Sequence, residues 1–280
     1  MTTAAMIAVL FGALLHAGWN AMIRRSDAQA TDVVLVVCGA ALIALAVIPL
    51  LPLPAPASWP HLLASGLIHV AYFLLVAASY RHGELSLAYP VMRGTAPLLS
   101  AVGATLLLSE RLTITGWLAV MTICGGILLI AADAWKRNAF SIRAGTYAIG
   151  TACTIVVYTL VDGAGARLSR DAAAYTAWVF VLTALPLTTI FLARDRHGFV
   201  HRCRQHWRTG FAGGACTLGA YALALWAMTQ APVALVAALR ETSVVFGALI
   251  AAFLLKERVT PLRWTATAIV ASGAVAIRFA

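Results

Sequence analysis

Long apolar runs are the feature of this sequence that most restricts its fold. Ten such runs follow one another between residues 3 and 278, and the connectors between them are short and marked by proline, glycine or charge. Because a helix of about 20 apolar residues crosses the roughly 30 Å hydrocarbon core of a bilayer, each run predicts a membrane-spanning helix. The runs lack the apolar–polar alternation of a membrane β-barrel. The predicted spans cover residues 3–23, 33–51, 61–80, 85–108, 112–132, 144–162, 173–193, 208–229, 232–255 and 261–278.

Composition agrees with this interpretation. Hydrophobic residues make up 62% of the 280 residues and charged residues only 11%. A soluble domain could not cover so much apolar side chain with polar surface, whereas lipid removes that conflict. The first run has no basic segment before it, which favours a retained helix over a signal peptide. The sequence therefore predicts an all-α integral membrane protein with ten transmembrane helices.

Matched residues at fixed offsets indicate an internal repeat. An offset of 147 residues relates Arg93 to Arg240, Glu110 to Glu257, Trp117 to Trp264 and Gly126 to Gly273. An offset of 142 relates His16 to Tyr158, Asn20 to Asp162 and Arg25 to Arg167. Chance similarity between alanine- and leucine-rich helices is the alternative, but several polar matches argue against it. The two units are residues 1–137 and 138–280, and because each holds five spans, the second enters the membrane inverted.

Loop charges predict the orientation. One side of the membrane carries fourteen basic residues: Arg24, Arg25, Arg81, Lys136, Arg137, Arg143, Arg194, Arg196, Arg202, Arg204, Arg208, Lys256, Arg258 and Arg263. The opposite side carries four: Arg111, Arg167, Arg170 and Arg278. The positive-inside rule places the basic-rich side in the cytoplasm, and both termini then lie outside.

Charged residues inside the spans are the strongest candidates for a functional site, since charge within a membrane is costly. Arg93 lies about eight residues, or roughly 12 Å, into span four, and Arg240 occupies the equivalent position in span nine. Glu241 is adjacent to Arg240, and Asp162 ends span six opposite its repeat partner Asn20. These residues predict a shared polar cavity at the interface between the repeats.

Each charged residue has two interpretations. Arg93 and Arg240 either hold a substrate carboxylate or phosphate, or take part in a structural pair such as Arg93 with Glu241. Glu241 and Asp162 are candidates for proton coupling, because burial favours the protonated form of a carboxyl group, and a salt bridge or helix end is the alternative for both.

Histidine and aromatic residues extend the candidate site. His16 and Tyr158 share a helix face with Asn20 and Asp162, respectively, one turn away. His69 is a weaker candidate, because a lone histidine in an apolar run is usually structural. Aromatic side chains that could line the cavity, or simply pack helices, are Tyr72, Tyr89, Tyr221 and Trp226. Glu110 and Glu257 lie at turns between helices, where a role in helix capping or in ordering the loop is the better explanation.

Several functional classes find no support in the sequence. There is no HExxH, no GxSxG and no glycine-rich phosphate loop with its lysine, so the chain is not expected to be an enzyme. The five cysteines form no CxxC pair or metal spacing, which predicts no metal site. Its net charge of +10 resides in short loops without interleaved aromatic residues, so nucleic acid is not an expected partner.

The chain resembles the EamA branch of the drug/metabolite transporter superfamily. The resemblance is carried by His16-Ala17-Gly18-Trp19-Asn20 and by the segment 234–243, which ends in Leu239-Arg240-Glu241-Thr242-Ser243 and is followed by Lys256-Glu257-Arg258. It implies a carrier of the bacterial cytoplasmic membrane that exports small metabolites by alternating access and needs no cofactor. Members of this family are usually described with both termini in the cytoplasm, so the loop charges here depart from the family pattern.

The leading hypothesis is therefore a secondary transporter of a small polar metabolite, such as an amino acid or an organic anion, with the lipid bilayer as its surroundings. A flippase for a phospho-linked lipid is an alternative that would need a cavity open towards the bilayer. A membrane-embedded enzyme is an alternative of another class. A scaffold or receptor would have little use for mirrored charges within the membrane. The sequence leaves a homodimer open.

Overall fold

A computed structural model of the chain describes residues 1–24, 26, 28–81, 85–137, 142–257 and 259–280. Within these ranges, the side chains of residues 77, 79–81, 85–90, 131–137 and 142–145 are not described. The described part of the chain is helical and contains no strand. The α-helices are α1 Thr3–Ile23, α2 Gln29–Val47, α3 Trp59–Arg81, α4 Leu85–Leu107, α5 Ile114–Arg137, α6 Ile142–Ser169, α7 Ala172–Arg194, α8 Arg196–Gln230, α9 Val233–Arg240, α10 Ser243–Leu249 and α11 Pro261–Ala276.

Short irregular helices complete the architecture. Two 3₁₀ turns, Ile48–Leu50 and Pro56–Ser58, lie in the proline-rich connector between α2 and α3, where proline removes backbone donors. A π-helix at Ile250–Leu254 continues α10, and a 3₁₀ turn at Ile277–Phe279 follows α11.

Seven segments of the described chain are long and apolar enough to cross a membrane, by length and composition. They are Thr3–Ile23, Gln29–Leu50, Pro56–Val76, Thr146–Ser169, Ala172–Arg194, Arg196–Gln230 and Val233–Leu254. Val91–Leu107 and Ile114–Ile130 are shorter apolar helices. Large apolar side chains such as Leu67, Ile114 and Phe253 are more than two-thirds exposed, as contact with lipid requires.

Three predicted spans differ from the observed helices. Span six was predicted to end at Asp162, whereas α6 continues to Ser169, so Asp162 lies inside the helix rather than at its end. Span nine is broken, because the amides of Glu241 and Thr242 bond three residues back, to Ala238 and Leu239, and the Thr242 hydroxyl also donates to the Leu239 carbonyl at 2.7 Å. Span eight was predicted to begin at residue 208, whereas α8 begins at Arg196, where Asp195 accepts the Gly198 amide at 2.9 Å as an N-cap.

The helices pack in pairs that mirror one another. α1 packs on α8 as α6 packs on α3, and α2 packs on α8 as α7 packs on α3. α4 packs on α6 and α1 packs on α9 and α10, while α5 and α11 pack on each other. The arrangement brings α1, α3, α4, α6, α8 and α9 around the centre of the bundle.

Helices α2 and α8 approach backbone to backbone. A methyl group on Gly39 would clash with the Gly210 carbonyl, and one on Gly214 would clash with the backbone of Gly39 and Ala40. Small residues permit this approach, which maximises van der Waals contact between helices in lipid.

Candidate functional site

A cavity of about 70 Å³ lies at the centre of the bundle. It is large enough for a few water molecules or one small chemical group. Polar and aromatic side chains from different helices meet there: His16, Trp19, His69, Tyr72, Phe73, Arg93, Tyr158, Phe180, Thr183, Thr217, Tyr221 and Arg240. Apolar side chains of α2, including Val36 and Val37, complete the wall. The structure thus assembles one polar site from residues that are far apart in sequence.

Arg93 and Glu241 form a buried ion pair. The Arg93 Nε lies 2.9 Å from Glu241 Oε2, and each side chain is 7% exposed. Arg93 Nη2 also donates to the Ser243 hydroxyl at 3.1 Å. The break after α9 places Glu241 and Ser243 against α4. The positive charge of Arg93 is therefore balanced by a carboxylate of the protein itself.

Arg240 is in a different electrostatic situation. Its guanidinium carbon lies 5.2 Å from the centre of the Tyr221 ring, a cation–π contact, and the side chain lines the central cavity. In the part of the chain that the structure describes, no carboxylate, hydroxyl or carbonyl lies within bonding distance of its guanidinium. Arg240 therefore presents a positive charge to the cavity, and none of the described carboxylates forms an ion pair with it.

Asp162 lies behind the cavity wall and is fully buried. Tyr175 donates its hydroxyl hydrogen to Oδ1 at 2.9 Å, and Tyr221 donates to Oδ2. The Nδ1 of His69 lies 4.0 Å from Oδ2. Tyr221 therefore contacts both charged residues, because its ring makes the cation–π contact with Arg240 and its hydroxyl donates a hydrogen bond to Asp162.

His69 occupies the middle of this cluster, although the sequence ranked it below His16. Its Nδ1 lies 3.0 Å from the Ser65 carbonyl and 3.1 Å from the Ser65 hydroxyl. The imidazole ring stacks on Tyr158 with the ring centres 4.4 Å apart. The sequence feature that indicates His69 as a cavity residue is Tyr72, a predicted cavity residue that lies three residues later on the same helix face.

The remaining candidates divide between two cavities and the surface. His16 lines the central cavity and accepts a hydrogen bond from Trp19 Nε1 at 3.3 Å. Asn20 donates to the His16 carbonyl at 2.8 Å and lines a second cavity. Trp226 is 39% exposed and lines neither cavity. Tyr89 lies outside the residues whose side chains are described.

The second cavity has a volume of about 300 Å³ and meets the first at His16 and Arg93. It runs between α1, α4, α5, α10 and α11 to the exposed Arg263. At this end, Arg24 pairs with Glu257 at 2.8 Å, with side chains that are 43% and 30% exposed. The central site thus adjoins a larger space on the side of the α1–α2 and α10–α11 connectors, and His16 and Arg93 line both cavities.

The opposite end of the bundle is closed by Glu110 and Arg167. Their side chains pair at 2.6 Å. Glu110 accepts the Val233 amide at 2.9 Å, which confirms the predicted capping role because this amide begins α9. Arg167 donates to the carbonyls of Met228 at 2.8 Å and Ala231 at 3.0 Å. These contacts bind α6, α8 and α9 together on this side.

Comparison with known proteins gives a consistent result. A family model described as "EamA-like transporter family" matches residues 3–132 and 143–279. No curated protein sequence matches the chain. A solved structure, described only as a crystal structure of a protein, matches with a TM-score of 0.77 and 15% identity over 99% of this chain and 96% of the other. At this identity the match concerns the fold.

Proposed function

The chain belongs to the EamA-like transporter family, and on this premise we propose that it is a secondary transporter that exports a small polar metabolite bearing an anionic group. Amino acids and organic anions are the expected substrate class. Family membership makes it a multi-pass membrane protein of a transporter family rather than an enzyme family. The proposal assigns substrate binding to the central cavity.

Arg240 is the observation that carries the substrate proposal. A charge without a counterion is costly in the middle of a membrane protein, and that cost is recovered when an anionic ligand binds. A guanidinium also suits a carboxylate or phosphate, because it can donate two parallel hydrogen bonds. Arg93 already has Glu241 as its anion, so its proposed role is to position the break after α9.

We further propose ten spans arranged as two inverted five-helix repeats, residues 1–137 and 138–280. The mirrored packing pairs support this arrangement, since α1, α2 and α3 have the same partners as α6, α7 and α8 when the units are exchanged. Two matched ion pairs support it as well. The pair of Glu110 with Arg167 lies at one end of the bundle, and the pair of Glu257 with Arg24 lies at the other. Because Glu110 and Glu257 are equivalent positions of the two units, this placement is what an inverted repeat requires.

The same two pairs support alternating access. On one side, Glu110 and Arg167 bind three helices together, while on the other Arg24, which pairs with Glu257, borders the larger cavity. We propose that the second side tightens as the first opens. Loop charges place the side with the larger cavity in the cytoplasm and both termini outside. A binding site loaded from the cytoplasm fits an exporter of the bacterial cytoplasmic membrane.

A thermal-shift screen of the purified protein tests the substrate proposal. The panel contains amino acids, organic acids, phosphonates and lipid phosphates. A ligand present at about 100 times its dissociation constant should raise the melting temperature by about 5–10 °C. The shift should disappear in Arg240→Gln and persist in Arg111→Gln, an exposed arginine outside both cavities.

Two outcomes would contradict this assignment. An acid that stabilises Arg240→Gln as strongly as the unmodified protein would remove Arg240 from the binding site. Shifts confined to lipid phosphates would favour the flippase, the alternative that needs a cavity open towards the bilayer.

A further inference from the structure

The first part of α8 extends beyond what a membrane crossing needs. The helix has 35 residues, a length of about 52 Å, whereas the hydrocarbon core is about 30 Å thick. Its backbone leaves helical geometry at His206, with φ −115° and ψ 20°. The next residue, Trp207, is 59% exposed. Tryptophan concentrates at the boundary between lipid and water, so residues 196–206 lie at the level of the headgroups.

One face of this segment is fixed to the bundle. Phe199 is buried and contacts Phe191 of α7, with ring centres 6.0 Å apart. Arg202 donates to both carboxylate oxygens of Asp32 in α2, at 2.9 and 3.0 Å, and to the Ser26 hydroxyl at 2.8 Å. The charge of Arg202 is thus balanced by Asp32, and the segment has a defined orientation relative to α2 and α7.

The opposite face is basic and exposed. Arg196, His197, His201 and Arg204 line one shallow depression. At about 100° per residue their side chains fall within an arc of about 140° on the helix. In the described residues neither Arg196 nor Arg204 makes an ion pair or a side-chain hydrogen bond. The nearby Asp195 is engaged as the N-cap of α8.

Further positive charge borders the depression. Arg194 and Arg208 are both exposed. The guanidinium carbon of Arg208 lies 5.4 Å from the centre of the Trp207 ring. This contact holds a cation next to the residue that marks the boundary of the membrane. The depression is therefore positively charged, and none of the described residues that line it carries a negative charge.

We propose that this basic face of α8, formed by Arg196, His197, His201 and Arg204, binds the phosphate headgroups of anionic phospholipids. Guanidinium groups bind phosphate oxygens through paired hydrogen bonds, and imidazole N–H groups can add a donor. Basic clusters beside a membrane helix attract anionic lipid electrostatically. The lipid surface is the occupant that the position favours, because Trp207, a residue type that marks the membrane boundary, is exposed and follows on the same helix.

Native mass spectrometry of the purified protein tests this site. The protein is offered equimolar phosphatidylglycerol and phosphatidylcholine, and the bound lipids are counted. We expect phosphatidylglycerol to be preferred, and we expect Arg196→Gln/Arg204→Gln to weaken its binding by about 30-fold, about fivefold for each arginine. The matched control is Arg111→Gln/Arg170→Gln, which removes two exposed arginines elsewhere and should retain the preference.

Melting temperatures show that the variants fold. Among the described residues, neither Arg196 nor Arg204 has a side-chain partner, so the double variant should melt at the same temperature as the unmodified protein. Equal retention of both lipids by the unmodified protein, or full preference in the folded double variant, would overturn the proposal. Displacement of phosphatidylglycerol by a soluble polyglutamate peptide at equal charge concentration would instead assign the face to an acidic protein.

Discussion

Removing one partner of the Arg93–Glu241 pair should destabilise the protein strongly. Glu241→Gln keeps the size of the side chain but removes the carboxylate that pairs with the Arg93 guanidinium. Both side chains are only 7% exposed, so solvent screens them little. Breaking a buried pair in this way costs about 3–5 kcal/mol. For a chain of this size, that corresponds to a fall in melting temperature on the order of 10 °C.

The double variant Arg93→Met/Glu241→Leu provides the decisive comparison. This variant replaces both charges of the pair with apolar side chains. Its free energy of unfolding should therefore lie within about 1 kcal/mol of that of the unmodified protein, or exceed it. The measurement is thermal unfolding in detergent, followed by size-exclusion chromatography. Arg240→Gln leaves the Arg93–Glu241 pair in place. It should lower the free energy of unfolding by only about 1 kcal/mol, because it loses one cation–π contact. A Glu241→Gln protein that melts within 2 °C of the unmodified protein would refute the role of the pair.

Three further predictions concern other parts of the bundle. Tyr221→Phe removes one of two donors to buried Asp162 and should cost about 1–3 kcal/mol by thermal unfolding while the ring beneath the arginine is kept; an unchanged melting temperature would contradict this hydrogen bond. Glu110→Gln should speed hydrogen exchange at the start of α9, because a neutral amide caps the Val233 amide less well and no longer pairs with Arg167; unchanged exchange would show that this end is closed by other contacts. Alkaline phosphatase fused to the C-terminus should be active and a fluorescent protein there dark, since the termini are predicted to lie outside; the reverse pattern would overturn the orientation.

The helices were predictable because lipid imposes a simple requirement on them. Backbone groups must be satisfied within each segment, so apolar runs translate directly into helices. The helix ends were less predictable. Hydropathy locates the hydrocarbon core rather than the end of a helix, so it missed the start of α8 at Arg196, where arginine, histidine and glutamine continue a capped helix beyond the apolar run.

The charges of the site were only partly predictable. Sequence reasoning offered Arg93 with Glu241 as one alternative, but it treated the two arginines alike. The missing clue was the absence of a second carboxylate, because the position equivalent to Glu241 in the first repeat is Gly94. Glu241 can therefore balance only one of the two positive charges, that of Arg93 or that of Arg240. The position of Asp162 behind Tyr221 depends on packing among α6, α7 and α8, which a single sequence does not encode locally.

The glycine contact between α2 and α8 determines which parts of the bundle can move. Helices slide past one another when side chains between them can change rotamer, and at Gly39, Gly210 and Gly214 there is no such layer. In the proposed transport cycle we therefore expect these two helices to move together, carrying the valine wall of α2 and Tyr221 with them. We expect the displacement to be absorbed where the chain is already broken, at the turn through Glu241 between α9 and α10. Arg240 directly precedes that turn. The residue proposed to bind the substrate would therefore change position whenever the turn moves.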